Sequence, residues 1–269
     1  MVTTIASTEQ PILLDKELLS SYANQYKQEL LQNILPFWLN FSKDEINGGY
    51  FTCLDRTGEV YDTDKFIWLQ GREVWCFSYM YTQVEAKAEW LEMAIHEANF
   101  LEKHGRDEQG NWYFSLTADG TPLVQPYNIF SDCFACMAFA ALDKASPNSR
   151  YKQIAVDTFN NKIARKDNSK GSYNKNFPGT RNLKNFSLPM ILCNLALELE
   201  HIIGSDRVNS FIPTVIHEVM EVFYQPSSGL ILENVYEDGS FCNSFEGRLI
   251  NPGHAIEAMW FIMDLAKRT

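Results

Sequence analysis

The chain has no run approaching the ~20 consecutive apolar residues that a membrane span requires. Its first residues, MVTTIASTEQPILL, have neither a basic segment nor a continuous apolar core, so they do not read as a secretory leader. Basic residues are in the minority, 23 Lys and Arg against 34 Asp and Glu, for a net charge of −11. Affinity for nucleic acid is carried mainly by Lys and Arg, and this balance argues against a phosphate backbone as partner. Neither a GxxxxGK[ST] phosphate loop nor a GxGxxG dinucleotide fingerprint is present. Six cysteines are scattered through apolar runs. Cys133 and Cys136 form one CxxC, but no second pair or nearby histidines complete a zinc set, and their helical spacing in SDCFACMAFAAL reads as core. These absences lead to the expectation of a reduced, cytoplasmic protein with no metal.

What the chain does have is apolar residues, 45% hydrophobic and 13% aromatic, in 269 residues, enough for a substantial core. The periodicity is mostly helical. KFIWLQGREVWCFSYMYTQV, EWLEMAIHEANFLEKH, IFSDCFACMAFAALDKA, LPMILCNLALELEHII and FIPTVIHEVMEVFY all place apolar residues three and four apart. Phe130 to Leu142 is apolar around most of its circumference, as in a helix buried on more than one side.

Between the helices, GGYFTCLDRTGEVYD, GNWYFSLTADGTPLV and GLILENVYEDGSFCN each read as strand, tight turn, strand, with turn glycines Gly58, Gly120 and Gly239. These glycines fall about 60 and then about twice 60 residues apart, and SYNKNFPGTRN, with Gly179, fills the missing beat. Helix pairs repeating at that period, buried on two sides, predict an all-α toroid of (α/α) pairs with hairpin-bearing loops. The chain supplies about eight of the twelve helices of the usual six-pair ring. It is expected to be a single domain over 1–269, and an incomplete ring is expected to expose apolar faces.

Two clusters could carry chemistry. In NPGHAIEA, Asn251 is a favoured N-cap and Pro252 suits the first helical position. His254 then lies in the first turn, where the helix dipole disfavours imidazolium and so favours the neutral ring a general base requires. Glu257, three residues on, lies one turn away and is a candidate to orient that ring. The bland alternative is a helix-terminal histidine bonded to the preceding loop. In WLQGR, Trp68 and Arg72 are four apart and share a face. An arginine inside an apolar helix needs a partner. That partner is either an internal carboxylate such as Asp132, or a ligand oxygen with the indole stacked on a sugar face. His96, His104, His201 and His217 read as helix-face or helix-end residues.

NGGYFTCLDRTGEVYDTDKFIWLQGREVW, FPGTRNLKNFSLPMIL and GRLINPGHAIEAMW together resemble the N-acylglucosamine 2-epimerases, over essentially the whole chain. The resemblance implies an (α/α)6 barrel and interconversion of N-acetylglucosamine and N-acetylmannosamine by proton removal and return at carbon-2 through an enediolate. It implies that His254 is one base, that Arg72 steadies the carbonyl oxygen, and that Glu257 matches an acidic residue of the site. Trp68, Met190 and Arg248 would line the pocket. No cofactor is required, although ATP can serve as an activator that is not consumed. The partners it implies are a small sugar and a second copy in a homodimer, with neither nucleic acid nor membrane. The family's second histidine lies in later helices, and none of the other four histidines stands in its context. An aldose–ketose isomerase of the mannose–fructose type and a catalytically inactive sugar-binding or interaction protein are the alternatives. A two-carboxylate glycosidase is disfavoured because no acidic pair stands out.

Overall fold

The computed structural model describes residues 15–165 and 180–268; the expected turn at Gly179 lies outside them. Eight helical rods follow one another among the described residues. The first joins α1 (Lys16–Glu29) to α2 (Leu35–Phe41) through a wide turn at 30–34. The others are α3 (Ile67–Gln83), α4 (Ala88–His104), α5 (Phe130–Ala145), α6 (Ser149–Arg165), α7 (Ser187–Ile203), α8 (Ser205–His217) and α9 (Pro252–Arg268).

Alternate rods differ in their surroundings. α3, α5, α7 and α9 pack in succession against one another, and α4, α6 and α8 each pair with the inner helix that precedes them. The sequence explains the division. Every residue of α5 from Ser131 to Leu142 is buried, because it has neighbours on both flanks and one behind. α6 and α8 keep one buried stripe each, at Tyr151, Ile154, Ala155 and Phe159 and at Val208, Ile212 and Val215. Such inner and outer rings are the arrangement of an (α/α) toroid. Cys133 and Cys136 are core residues of α5.

α3 and α5 approach so closely that only glycine fits between them. A Cβ on Gly71 would fall 2.9 Å from the carbonyl carbon and oxygen of Phe134. Around this contact Tyr50 is locked to α3: Gln70 accepts from its N–H at 3.0 Å and donates to its carbonyl at 2.9 Å. Below it Lys65, fully buried, donates to Asp44 at 2.8 Å, to the Ala118 carbonyl at 2.7 Å and to the Gly48 carbonyl.

Two of the expected hairpins form. β1 (Cys53–Leu54) pairs with β2 (Val60–Asp62), and β4 (Ser115–Leu116) pairs with β5 (Pro122–Val124) and also with β3 (Lys65–Phe66). Their turns hold Gly58 and Gly120 at φ +89°, a region that side chains rarely adopt. The third expectation is corrected. Gly239 does sit in a turn at φ +81°, closed by the Tyr236 N–H on the Ser240 carbonyl at 3.0 Å, but no strand pair extends across it among the described residues. Instead β8 (Leu230–Ile231) pairs with β7 (Tyr224–Gln225), and β9 (Asn234–Tyr236) pairs with β6 (Leu183–Asn185). The long-range partner before α7 takes the ladder that a local hairpin would have used.

The outer stripe of α9 is uncovered among the described residues: Ile256, Trp260 and Met263 are 73%, 55% and 58% exposed. α1 has no buried residue. No described helix is long and apolar enough to cross a membrane.

Candidate active site

The inner helices present their N-terminal turns to the loops, and the candidate residues occupy those turns. Trp68 and Arg72 lie in the first two turns of α3, Phe134 early in α5, Met190 early in α7, and His254 and Glu257 early in α9. Three of these starts share a device. Asn128, Asn185 and Asn251 each accept, through the side-chain oxygen, from a backbone N–H two residues on, at 2.9, 3.0 and 3.1 Å. Asn251 also accepts from His254 N–H at 3.4 Å, the N-cap anticipated from NPGH. Helix N-termini gathered at one end favour negative charge there.

The His254 ring is held by an acid that sequence reasoning missed. Its Nδ1 lies 3.0 and 3.1 Å from the two carboxylate oxygens of Glu233. Glu233 is only 5% exposed, whereas the histidine side chain is 33% exposed and opens to solvent. The expectation that Glu257 orients the ring is therefore corrected. Helical side chains tilt toward the helix N-terminus, so a first-turn histidine leans over the preceding loop, away from a residue one turn further along. Glu233 had one sequence signal, a lone acid within the apolar run GLILENVY, since a buried charge requires a partner.

Glu257 lies instead within electrostatic reach of Arg72. The Arg72 guanidinium stacks 4.2 Å from the Phe134 ring centroid and 5.1 Å from that of Trp68. Burial lowers its pKa from the ordinary value, and the Glu257 charge works in the opposite direction. No salt bridge fixes Arg72 among the described residues. The internal partner weighed for it, Asp132, is bound to Arg165. Burial of Asp132 outweighs that arginine and lifts its pKa to about 6. The stacked, unbridged guanidinium leaves N–H donors for a ligand oxygen.

The remaining candidates are placed less directly. Met190 is buried in the apolar cluster that α7 forms with Ala258, Phe261 and Leu265 of α9, so it supports the helix carrying His254. Arg248 is exposed and donates to Asn243 at 2.7 Å, a bond within its own loop rather than one to Arg72's or His254's surroundings. The other four histidines are engaged elsewhere. His96 and His201 meet the Asp44 and Ala140 carbonyls at 3.1 and 3.2 Å, His104 lies against Phe100, and His217 pairs with Glu221 at 3.0 Å.

The fold and this cluster define a class: an α/α-toroid protein with an acid-buttressed histidine and an aromatic-stacked arginine at the mouth of its inner helices. Comparison with known proteins narrows it. The family described as N-acylglucosamine 2-epimerase (GlcNAc 2-epimerase) matches residues 49–269. The chain is 34% identical to the N-acylglucosamine 2-epimerase of Rattus norvegicus over 262 residues, covering 94% of this chain and 62% of that protein. It is 33% identical to that of Bos taurus, covering 94% and 61%. The solved structure of cellobiose 2-epimerase from Bacillus thermoamylovorans B4167 superposes with a TM-score of 0.79 at 20% identity, over 92% of this chain and 67% of that one, which shows the shared fold. The chain belongs to the N-acylglucosamine 2-epimerase family. It spans about three-fifths of the length of the curated relatives it matches.

Proposed function

We propose that this chain carries one half of a sugar 2-epimerase site, acting on N-acetylglucosamine and N-acetylmannosamine. The observation that carries the proposal is the pairing of His254 with Glu233, together with an arginine that is stacked but not bridged and that feels the charge of Glu257, a residue of the same helix as His254. In this reading the open-chain sugar presents its carbon-2 proton to His254. Removing that proton places negative charge on the carbonyl oxygen as the enediolate forms. Arg72, with its donors unspent, is the group to meet that oxygen, and such a donor is worth about 10²–10³ in rate. The gathered helix N-termini favour the same anion. Trp68 supplies an apolar face for the sugar ring, and the Glu257 charge offsets part of the cost of burying the Arg72 guanidinium. Inversion then requires a proton delivered to the opposite face. The other described histidines are engaged away from His254, so the proposal assigns that second acid to the part of the relatives' length that this chain does not span.

ATP as an unconsumed activator, a homodimer and a cytoplasmic location belong to the same proposal.

Incubation with N-acetylmannosamine in heavy water, followed by proton NMR, tests the assignment. The expected result is loss of the carbon-2 proton signal, suppressed by Arg72→Ala and by His254→Asn. Exchange without N-acetylglucosamine would indicate one-sided proton transfer. A ketose formed from free mannose, which unlike the N-acetylated sugars carries a hydroxyl at carbon-2, would replace this reading with an aldose–ketose isomerase. Retention of the carbon-2 proton by the folded protein would refute it.

A further inference from the structure

We infer that Glu233 is a positioning residue that sets the tautomer of His254, making Nε2 the basic atom and Nδ1 the atom that bears the proton. The inference rests on the reading of His254 as a base and adds which nitrogen acts and why. An ionised carboxylate has only acceptors, so an imidazole nitrogen 3.0 and 3.1 Å from its two oxygens must bear hydrogen. In a neutral ring the lone pair then resides on Nε2. Unconstrained imidazole side chains prefer the other arrangement, with hydrogen on Nε2, which would leave the outward nitrogen unable to accept a proton. The carboxylate reverses this intrinsic preference of the ring. It also stabilises the imidazolium formed when Nε2 takes a proton.

The loop around Glu233 is built to hold it there. Its carbonyl accepts from Phe186 N–H at 2.9 Å, at the start of α7, and from the Asn185 side chain at 3.3 Å. Its own N–H donates to the Leu249 carbonyl at 3.4 Å, two residues before the Asn251 cap that opens α9. The next residue, Asn234, is registered opposite Asn185 in the β6–β9 ladder and donates to the Glu246 carbonyl at 3.0 Å. Glu233 is thus tied both to the helix before it and to the loop that delivers His254. The β6–β9 pairing, which the local sequence pattern did not suggest, is what places the acid under the ring. Among the described residues the side-chain partner of this buried acid is the His254 N–H, and its burial makes it a poor candidate to touch substrate itself.

The tautomer can be observed without turnover. Protein labelled with ¹⁵N in its histidine rings gives a long-range proton–nitrogen spectrum in which the two neutral tautomers have distinct patterns, and the His254 signals are those lost in His254→Gln. The wild type is expected to show His254 protonated at Nδ1, and Glu233→Ala is expected to move it to the Nε2–H form with the circular dichroism unchanged. Carbon-2 proton exchange should then fall about 10²–10⁴-fold, the range of a general base, with KM little altered. A wild-type spectrum with hydrogen on Nε2 would overturn the inference, and that observation needs no variant to fold. An Nδ1–H spectrum from a protein that exchanges no carbon-2 proton would leave the tautomer assignment standing and remove the proposed activity. Exchange by a protein whose His254 bears hydrogen on Nε2 would do the reverse.

Discussion

Replacing Gly71 by alanine tests the close approach of α3 and α5 and the placement of Arg72 together. The added Cβ would lie 2.9 Å from both the carbonyl carbon and oxygen of Phe134 and 3.2 Å from Ala135 N. Ordinary contacts begin near 3.4 Å, and the atoms in the way are backbone, so no side chain can rotate to make room. The two helices must separate by roughly half an ångström, and overpacking of this kind costs about 1–3 kcal/mol. One effect opposes it, because alanine is favoured over glycine within a helix by roughly 0.5–1 kcal/mol. The steric cost wins, leaving a net loss of about 1–2 kcal/mol. At about 2–4 °C per kcal/mol for a chain of this class, Tm should fall by roughly 2–8 °C. The same displacement moves Phe134 away from the guanidinium that stacks on it at 4.2 Å, so carbon-2 exchange should weaken beyond what the lost stability explains. Thermal unfolding followed by circular dichroism, together with the exchange assay at a temperature where both proteins are folded, supplies the two measurements. A Gly71→Ala protein as stable as the parent would refute the argument, since the helices could not then be as close as Gly71 requires.

Two further perturbations address the buried charges beneath the site. Lys65→Met should destabilise by about 3–5 kcal/mol at pH 7, because it strands the Asp44 carboxylate in the interior. Burial alone would raise the Asp44 pKa, but Lys65 and the Ile46 and Asn47 donors outweigh it and hold it below the ordinary 3.8. Stability from this pair is therefore present above that pH and lost as pH falls through the lower folded value. The variant should flatten the acid limb of a urea titration, and an unchanged limb would show that Lys65 is not what holds Asp44 ionised. Glu97 has the opposite sign. Burial first, and the Glu73 charge next, raise its pKa well above 4.5, so stability is full below 4.5 and declines as pH rises toward the folded value. Glu97→Gln should match the parent near pH 4 and be more stable than it at pH 8 in urea denaturation. An equal loss at both pH values would mean that the carboxyl serves through its shape and hydrogen bonds rather than through its proton.

How far the sequence could be read differs between elements. The unbroken apolar run from Phe130 to Leu142 announced a helix with neighbours all round, and α5 is that helix. Gly58 and Gly120 marked hairpins because a turn of that kind needs positive φ, a local requirement that local residues satisfy. Gly239 marked a turn for the same reason but no hairpin, because strand pairing is a contest among all available edges, and β6, some fifty residues upstream, supplied the partner. At the site, NPGH gave the cap and the helix start correctly, since capping involves only residues two and three apart. It misled on the partner of the ring. Glu257 was the nearest acid in sequence, but the direction in which helical side chains lean put Glu233 beside Nδ1.

The sequence by itself determined the helices, their repeat, the Asn251 cap of α9 and the family, because each depends on neighbours within a few residues or on motifs carried whole in the chain. It also singled out Arg72 and His254 as the candidate groups for chemistry. Only the tertiary structure decided what those groups rest against: Phe134 under the guanidinium rather than Asp132 beside it, and Glu233 rather than Glu257 behind the imidazole. Contacts of that kind join residues from different helix pairs. Their free energy is set by burial and by the geometry of whole elements packed together, which no stretch of the chain specifies alone.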